Sequence, residues 1–172
     1  MKSINRKRDS IVKILLLICF FLAPSISSAE INSKQWNKIC DKDGKNCYIA
    51  IKFETDFING KKKTIATAYI RTAKKSEKNF AVVLFVNFPL NIDLTRNPLV
   101  IINKQNITTM DFTHCNRDIG CASSSILTSE ALKFFKAGRN MEIIFGVNGA
   151  NKDYISDFSL KGFTKSFDSL IK

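Results

Sequence analysis

The amino-acid sequence predicts an all-β protein, an immunoglobulin-like antiparallel β-sandwich with one short helix near the C-terminal third and a short C-terminal helix. Three observations indicate this fold class. About seven or eight short segments are rich in β-branched and aromatic residues, turn signals recur about every 8–12 residues, and only one internal segment has a clear helical pattern. The chain has 172 residues, 45% of them hydrophobic, which suffices for a single domain with a core.

The N-terminal half of the domain contains four predicted strands. The segment 46–53 favours β-structure. After an Asn59-Gly60 hairpin signal, the segment 64–71 suits a strand because it alternates Ile65, Thr67 and Tyr69 with Ala66, Ala68 and Ile70. The segment 80–88 is almost entirely apolar, which predicts a central strand buried on both faces. It ends at a proline, and a second proline precedes the fourth strand, 99–102.

The C-terminal half is predicted to continue with strands and two helices. The remaining predicted strands are 107–112, 121–125, 141–147 and 154–160. A helix is expected over 128–138 because Thr128 is a good N-cap, Glu130 lies in the first turn and Gly138 marks the end. In the tail, apolar residues from Phe163 onward recur at helical spacing.

Residues 1–29 have the pattern of a cleavable secretory signal peptide. Basic residues precede the apolar run 14–23, and small residues stand at 27–29. This run is too short to cross a bilayer, which requires about 20 apolar residues. We therefore expect cleavage after Ala29 and one domain, 30–172, without a transmembrane span; the alternative is an uncleaved anchor. Cleavage removes five basic residues and one acidic residue, lowering the formal charge from +12 to +8.

Export also limits the kinds of partner that the protein can meet. A protein sent to the periplasm or beyond does not meet genomic DNA, so we expect no nucleic-acid partner. The remaining positive charge favours solubility or attraction to anionic envelope surfaces. Lys61, Lys62 and Lys63 stand at the predicted hairpin tip. They are interpreted either as a solvated tip or as a contact for anionic polysaccharide or lipid headgroups.

Four cysteines remain after signal cleavage: Cys40, Cys47, Cys115 and Cys121. An even number in an exported chain predicts two disulfides, which have three possible connectivities. Local pairing is favoured because Asp43-Gly44 is a strong turn signal inside the first pair and Gly120 stands inside the second. The gaps are longer than those of structural zinc sites, so no metal is expected.

No residue pattern indicates an enzyme or a cofactor. The only histidine, His114, precedes Cys115, and a Cys–His nucleophilic pair would need a free thiolate. A disulfide would remove that thiolate, so His114 is interpreted as a polar residue at a strand end. The chain also lacks a Gly-x-Ser-x-Gly elbow and a phosphate-binding glycine loop.

Four features occur along the chain: Trp36 followed by Cys40 and Cys47, the run 111–121 with its two cysteines, the Lys-Ala-Gly at 136–138, and the Ser-Leu-Lys-Gly-Phe at 159–163. Together they resemble the invasion-associated locus B family. The resemblance extends over nearly the whole domain. It implies an exported β-sandwich protein of Gram-negative bacteria, linked by name to entry into host cells and without an established enzymatic mechanism.

The sequence thus favours a non-catalytic, disulfide-stapled binding or envelope protein in the periplasm or at the cell surface. Its expected contact features are Trp36, the lysines 61–63 and the loop closed by Cys115 and Cys121. One alternative is a periplasmic envelope-maintenance or chaperone-like factor, which needs the same stable sandwich with exposed loops. A less favoured alternative is an envelope hydrolase that uses Cys115 and His114.

Overall fold

The computed structural model describes residues 31–56, 62–74 and 80–172. The predicted signal peptide, the Asn59-Gly60 turn and Lys61 lie outside the described residues. Ten strands and two helices follow one another along the described chain: β1 (Asn37–Cys40), β2 (Cys47–Asp56), β3 (Lys62–Lys74), β4 (Phe80–Phe88), β5 (Leu99–Ile102), β6 (Gln105–Thr109), β7 (Asp111–Asn116), β8 (Gly120–Leu127), α1 (Ser129–Ala137), β9 (Asn140–Phe145), β10 (Tyr154–Ser159) and α2 (Phe163–Leu170).

The strands form two antiparallel sheets, as the sandwich prediction requires. The six-stranded sheet has the order β1-β2-β3-β4-β8-β7, and the four-stranded sheet has the order β10-β9-β5-β6. Aromatic contacts join the sheets across the core. The ring centroids of Phe88 in β4 and Phe145 in β9 are 4.8 Å apart, and those of Phe53 in β2 and Phe158 in β10 are 5.9 Å apart. The predicted fold class is confirmed by this arrangement.

The two helices pack together through aromatic residues. Phe135 of α1 and Phe163 of α2 are fully buried, with ring centroids 5.2 Å apart. Trp36, just before β1, stacks edge-on against Phe163 at 5.3 Å. Neither helix in the described ranges has the length and apolarity needed to cross a membrane.

The strand 80–88 has the predicted bounds but not the predicted burial. Val82, Leu84 and Val86 are buried in the core. The residues that alternate with them, Val83 and Phe85, are only half-buried. The prediction of burial on both faces is therefore wrong: an antiparallel sheet packs one face on the core and leaves the other toward solvent. A continuous apolar run in this sheet consequently places apolar side chains on an outward face.

The predicted strand 107–112 is two strands in different sheets. Gln105–Thr109 pairs with β5 in the four-stranded sheet, whereas Asp111–Asn116 pairs with β8 in the six-stranded sheet. Met110 lies between them, fully buried, and its backbone N–H donates to the Pro98 carbonyl at 2.9 Å. The chain crosses the core at this residue. No glycine or proline marks the crossing within 107–112, so the sequence pattern does not reveal it.

Replacing Thr128 with alanine should lower the free energy of unfolding by about 1 kcal/mol, because it removes the N-cap of α1. The Thr128 hydroxyl accepts a hydrogen bond from the Ala131 N–H at 3.0 Å. Urea unfolding followed by circular dichroism measures the change. Thr128→Ser retains the hydroxyl and serves as the control. If both variants lose the same stability, the cap contributes nothing.

Candidate functional site

The candidate site lies on the outward face of the six-stranded sheet, here called the outer face. Two lines of paired residues cross it from strand to strand. The first line is Ala50, Tyr69, Phe85, Ser124 and Asp111. The second is Lys52, Thr67, Asn87, Ala122 and His114. Because side chains alternate along a strand, these residues face away from the core that Ile70, Leu84 and their neighbours fill.

Aromatic side chains and a cation meet near the middle of the outer face. The rings of Tyr48 and Tyr69 lie edge to face, with centroids 5.8 Å apart. The Arg71 guanidinium carbon lies 5.0 Å from the centroid of the Tyr48 ring, which is a cation–π contact. The side-chain amide of Asn87 donates to the Tyr69 hydroxyl at 3.3 Å. Arg71 is exposed and both tyrosines are half-buried, so this cluster is rigid yet reachable from solvent.

Burial raises the pKa of the Tyr69 phenol above its ordinary value. The hydroxyl is neutral at physiological pH and can both donate and accept a hydrogen bond. It accepts one from the Asn87 amide and also hydrogen-bonds the Thr67 side chain. Tyr69 thus offers an aromatic edge and a polar group at the same point.

Small residues leave a recess between the larger ones. The central recess, of about 310 Å³, is lined by Tyr48, Tyr69, Arg71, Phe85, Asn87, His114 and Ala122. Ala122 is paired with both Asn87 and His114 and carries only a methyl group, so it forms a low point between them. A larger side chain at position 122 would fill this space.

Two further recesses continue the central one. The basic recess, of about 390 Å³, shares Tyr48 and Arg71 with the central recess and adds Lys45. Lys38, Thr72 and Leu170 also line it, and because Lys38 and Thr72 pair with the core residues Ile49 and Val82, this recess reaches over the end of the sheet toward α2. The distal recess, of about 460 Å³, shares Tyr69 and Asn87 and adds Thr64, Leu90 and Ile119. The three recesses together are called the outer-face trough. It follows β3 from Thr72 to Thr64, a length of roughly 26 Å at about 3.3 Å per residue.

The charges along the trough are unequal. Lys38, Lys45 and Arg71 line the basic recess, and Arg71 also lines the central recess. Of the described residues, those lining these two recesses include no aspartate or glutamate. Lys38 is fixed in place, since its Nζ donates to the Ser169 carbonyl at 2.6 Å. One end of the trough is therefore positively charged.

The disulfides tie the two edge strands of this sheet to their neighbours. Cys40 is bonded to Cys47 across β1 and β2, and Cys115 is bonded to Cys121 across β7 and β8. β1 and β7 are the two outermost strands of the sheet. In the chain-entropy model each short loop contributes roughly 2 kcal/mol of stability. The disulfides therefore hold the edges of the outer face in position.

The contact residues predicted from the sequence have different locations. Trp36 is only 2% exposed, so the expectation that it contacts a partner at the surface is wrong: its ring packs on Phe163 and its indole N–H donates to the Ser159 carbonyl at 3.0 Å. Lys62 and Lys63 are exposed at the start of β3, adjoining the distal end of the trough. His114 is exposed in the middle of β7, with Nδ1 3.2 Å from the Thr113 hydroxyl, and lines the central recess.

Sequence reasoning missed the residues that build the trough, chiefly Tyr48, Tyr69, Arg71 and Phe85. The alternation in 64–71 separates Tyr69 from Ile70 and so carries a signal for two of them. It does not show that Tyr48, on another strand, lies beside Tyr69. Neither does the apolar run 80–88 reveal that Phe85 faces outward.

Comparisons with known proteins point to one family. The model of the family described as Invasion associated locus B (IalB) protein matches residues 36–171. The crystal structure of invasion associated protein B from Bartonella henselae superposes with a TM-score of 0.63 at 12% sequence identity, covering 81% of this chain and 94% of that chain. At this identity the superposition supports the fold alone. Among curated protein sequences, none matches this chain significantly.

Proposed function

Because the chain belongs to the Invasion associated locus B family, we propose that it is an exported, non-catalytic binding protein that takes part in bacterial entry into host cells. The family description and the name of the similar structure both refer to invasion. The observation that carries the binding assignment is the outer-face trough. In this account the trough is where the protein contacts its partner.

Export is supported by two independent features. Residues 1–29 have the charge, length and small-residue pattern of a cleavable signal peptide. Both disulfides, Cys40–Cys47 and Cys115–Cys121, are of the kind that persists in oxidising compartments. The proposed location is the periplasm, with access to the outer surface.

A non-catalytic role is supported by the state of Cys115. A thiol hydrolase would need this residue as a thiolate beside His114. Its sulfur is instead bonded to Cys121, and the His114 ring contacts the Thr113 hydroxyl. The neighbouring histidine therefore has no cysteine thiolate to activate, and its place in the central recess suits ligand contact.

The trough supports binding because it presents several kinds of contact on a rigid sheet. Aromatic edges, an exposed guanidinium and amide and hydroxyl groups line one continuous depression. Lys62 and Lys63 are the first residues of β3 and lie just beyond the distal end of the trough. With Lys61 they remain a proposed secondary contact for anionic surfaces, and the triple replacement by glutamate should weaken that contact.

The double variant Tyr69→Thr/Arg71→Thr should lose binding to host cells by about tenfold or more, since a few aromatic and arginine residues usually dominate an interface. Threonine suits a strand, so the sheet should persist. The measurement is the binding of labelled purified protein to cultured host cells. Circular dichroism confirms that each variant is folded.

The four-stranded sheet offers a matched control for this experiment. Lys152 lies 5.8 Å over the ring of Tyr154, which is itself 42% exposed, so Lys152→Thr/Tyr154→Thr likewise removes one tyrosine and one cationic side chain, from another surface. This variant should bind as the wild type does. Equal losses in both variants, or no loss in either, would contradict the assignment of the trough. Protein that proteases reach only after outer-membrane permeabilisation would favour envelope maintenance instead.

A further inference from the structure

The shape of the outer-face trough limits what it can bind. The central recess shares Tyr48 and Arg71 with the basic recess, and it shares Tyr69 and Asn87 with the distal recess. Measured along β3, the recesses extend roughly 26 Å at about 3.3 Å per residue, and the basic recess turns over the end of the sheet toward α2. A compact small molecule would fill only one recess. A linear chain of repeating units would occupy all three.

The charge of the basic recess indicates an anionic ligand. Lys45 and Arg71 are exposed, and no aspartate or glutamate is found among the described residues that line the basic and central recesses. The planar guanidinium of Arg71 presents paired N–H donors that match a carboxylate or sulfate. Its contact with the Tyr48 ring holds the group in place, which reduces the ordering that binding requires.

The aromatic and polar groups indicate which anion-bearing chain fits. A sugar ring has C–H faces that pack against aromatic side chains and hydroxyls at its edge that form hydrogen bonds. Tyr48 and Tyr69 offer ring surfaces, with centroids 5.8 Å apart. The Tyr69 hydroxyl, held by the Asn87 amide and the Thr67 side chain, places a polar group beside them. This alternation of ring surfaces and polar groups suits a saccharide better than an acidic peptide.

A membrane surface fits the trough less well. The two tyrosine rings are half-buried around a depression, and a flat bilayer would meet the rims rather than these rings. Ile126, 62% exposed, is paired with Val83 on the same face and is the side chain that a bilayer would contact. A polysaccharide should therefore depend on Arg71 and the tyrosines, whereas a bilayer should depend on Ile126.

We propose that the outer-face trough binds a linear acidic polysaccharide, with Arg71 and Lys45 contacting its carboxylate or sulfate groups and Tyr48 and Tyr69 packing against its sugar rings. This assignment rests on the proposed binding function and adds the class of ligand. Lys62 and Lys63 stand where a longer chain would leave the distal recess.

The test uses a long oligogalacturonate and its fully methyl-esterified form, which is the same polymer without charges. Calorimetry should show binding of the charged form to the wild-type protein and little binding of the ester. Arg71→Glu should weaken binding by about tenfold or more, because it replaces a charge-assisted contact with a repulsive one. Lys133→Glu, the same charge change at an exposed residue of α1, should leave binding within about twofold, since exposed charges are screened beyond a Debye length of about 8 Å.

Three results would overturn the proposal. Equal losses in Arg71→Glu and Lys133→Glu would indicate unspecific attraction by net charge. Absence of oligogalacturonate binding, together with binding to phosphatidylglycerol vesicles that Ile126→Ser abolishes, would assign the face to a membrane. Absence of polysaccharide binding while Tyr69→Thr/Arg71→Thr still abolishes cell binding would leave the proposed function intact and refute only the ligand class.

Discussion

Replacement of Trp36 with alanine is expected to lower the free energy of unfolding by about 3–5 kcal/mol, the usual cost of truncating a buried aromatic residue. The Trp36 side chain is 2% exposed and packs edge-on against Phe163, whose ring centroid lies 5.3 Å away. Its backbone N–H donates to the Lys161 carbonyl, and its carbonyl accepts from the Ser166 hydroxyl. The residue therefore anchors the segment before β1 to the start of α2.

The measurement is chemical unfolding followed by circular dichroism, because Trp36 is the only tryptophan and its own fluorescence disappears with it. Trp36→Phe is the control. It retains an aromatic ring but loses the indole hydrogen bond to the Ser159 carbonyl, so it should lose about 1–3 kcal/mol. A Trp36→Ala protein that is as stable as the wild type but no longer binds host cells would restore Trp36 as a contact residue.

Replacement of Gly120 with alanine should lower the free energy of unfolding by about 3 kcal/mol or more, which lies in the upper range for single substitutions. Gly120 begins β8 with a φ of +79°, a conformation that glycine adopts without strain. A Cβ atom there would lie 1.9 Å from the Phe88 carbonyl oxygen and 3.0 Å from its carbonyl carbon. Since both atoms are backbone, β4 and β8 would have to separate at the end where Cys121 pairs with Phe88.

Gly44 is the control that distinguishes the strain of a positive φ from the clash with the Phe88 backbone as causes of the lost stability. It also has a positive φ, +68°, but a Cβ atom there would meet nothing within 4 Å. Gly44→Ala should therefore cost only about 1–2 kcal/mol, from the backbone conformation alone. Urea unfolding of both variants tests the comparison. Equal losses would mean that the close approach to Phe88 contributes nothing and that the strand ends are free to adjust.

Local patterns predicted most of the individual elements. The strands Phe80–Phe88 and Leu99–Ile102 have the predicted bounds because prolines follow the first and precede the second. Helix α1 lies within 128–138 because Thr128 and Gly138 cap it. Elements that depend on distant partners were harder to recognise. β1, for example, lies in a polar segment and exists through its pairing with β2.

The candidate site could be predicted only in part. The charge run alone predicts that Lys62 and Lys63 are exposed, whereas the polar neighbours of Trp36 predict a surface position that its burial contradicts. Its burial depends on Phe163, which is far away in the sequence. The trough likewise depends on the order of β2, β3 and β4 in the sheet and on which face of each strand meets the core. Neither is contained in the pattern of a single strand.

The central claim is that the outer face of the six-stranded sheet contacts the partner. Hydroxyl-radical footprinting of the protein, free and bound to host cells, tests this claim most directly because aromatic side chains report their own accessibility. Tyr48, Tyr69 and Phe85 should become less reactive on binding, while Tyr154 on the four-stranded sheet should not change. Protection of Tyr154 with unchanged reactivity of the three outer-face residues would contradict the account.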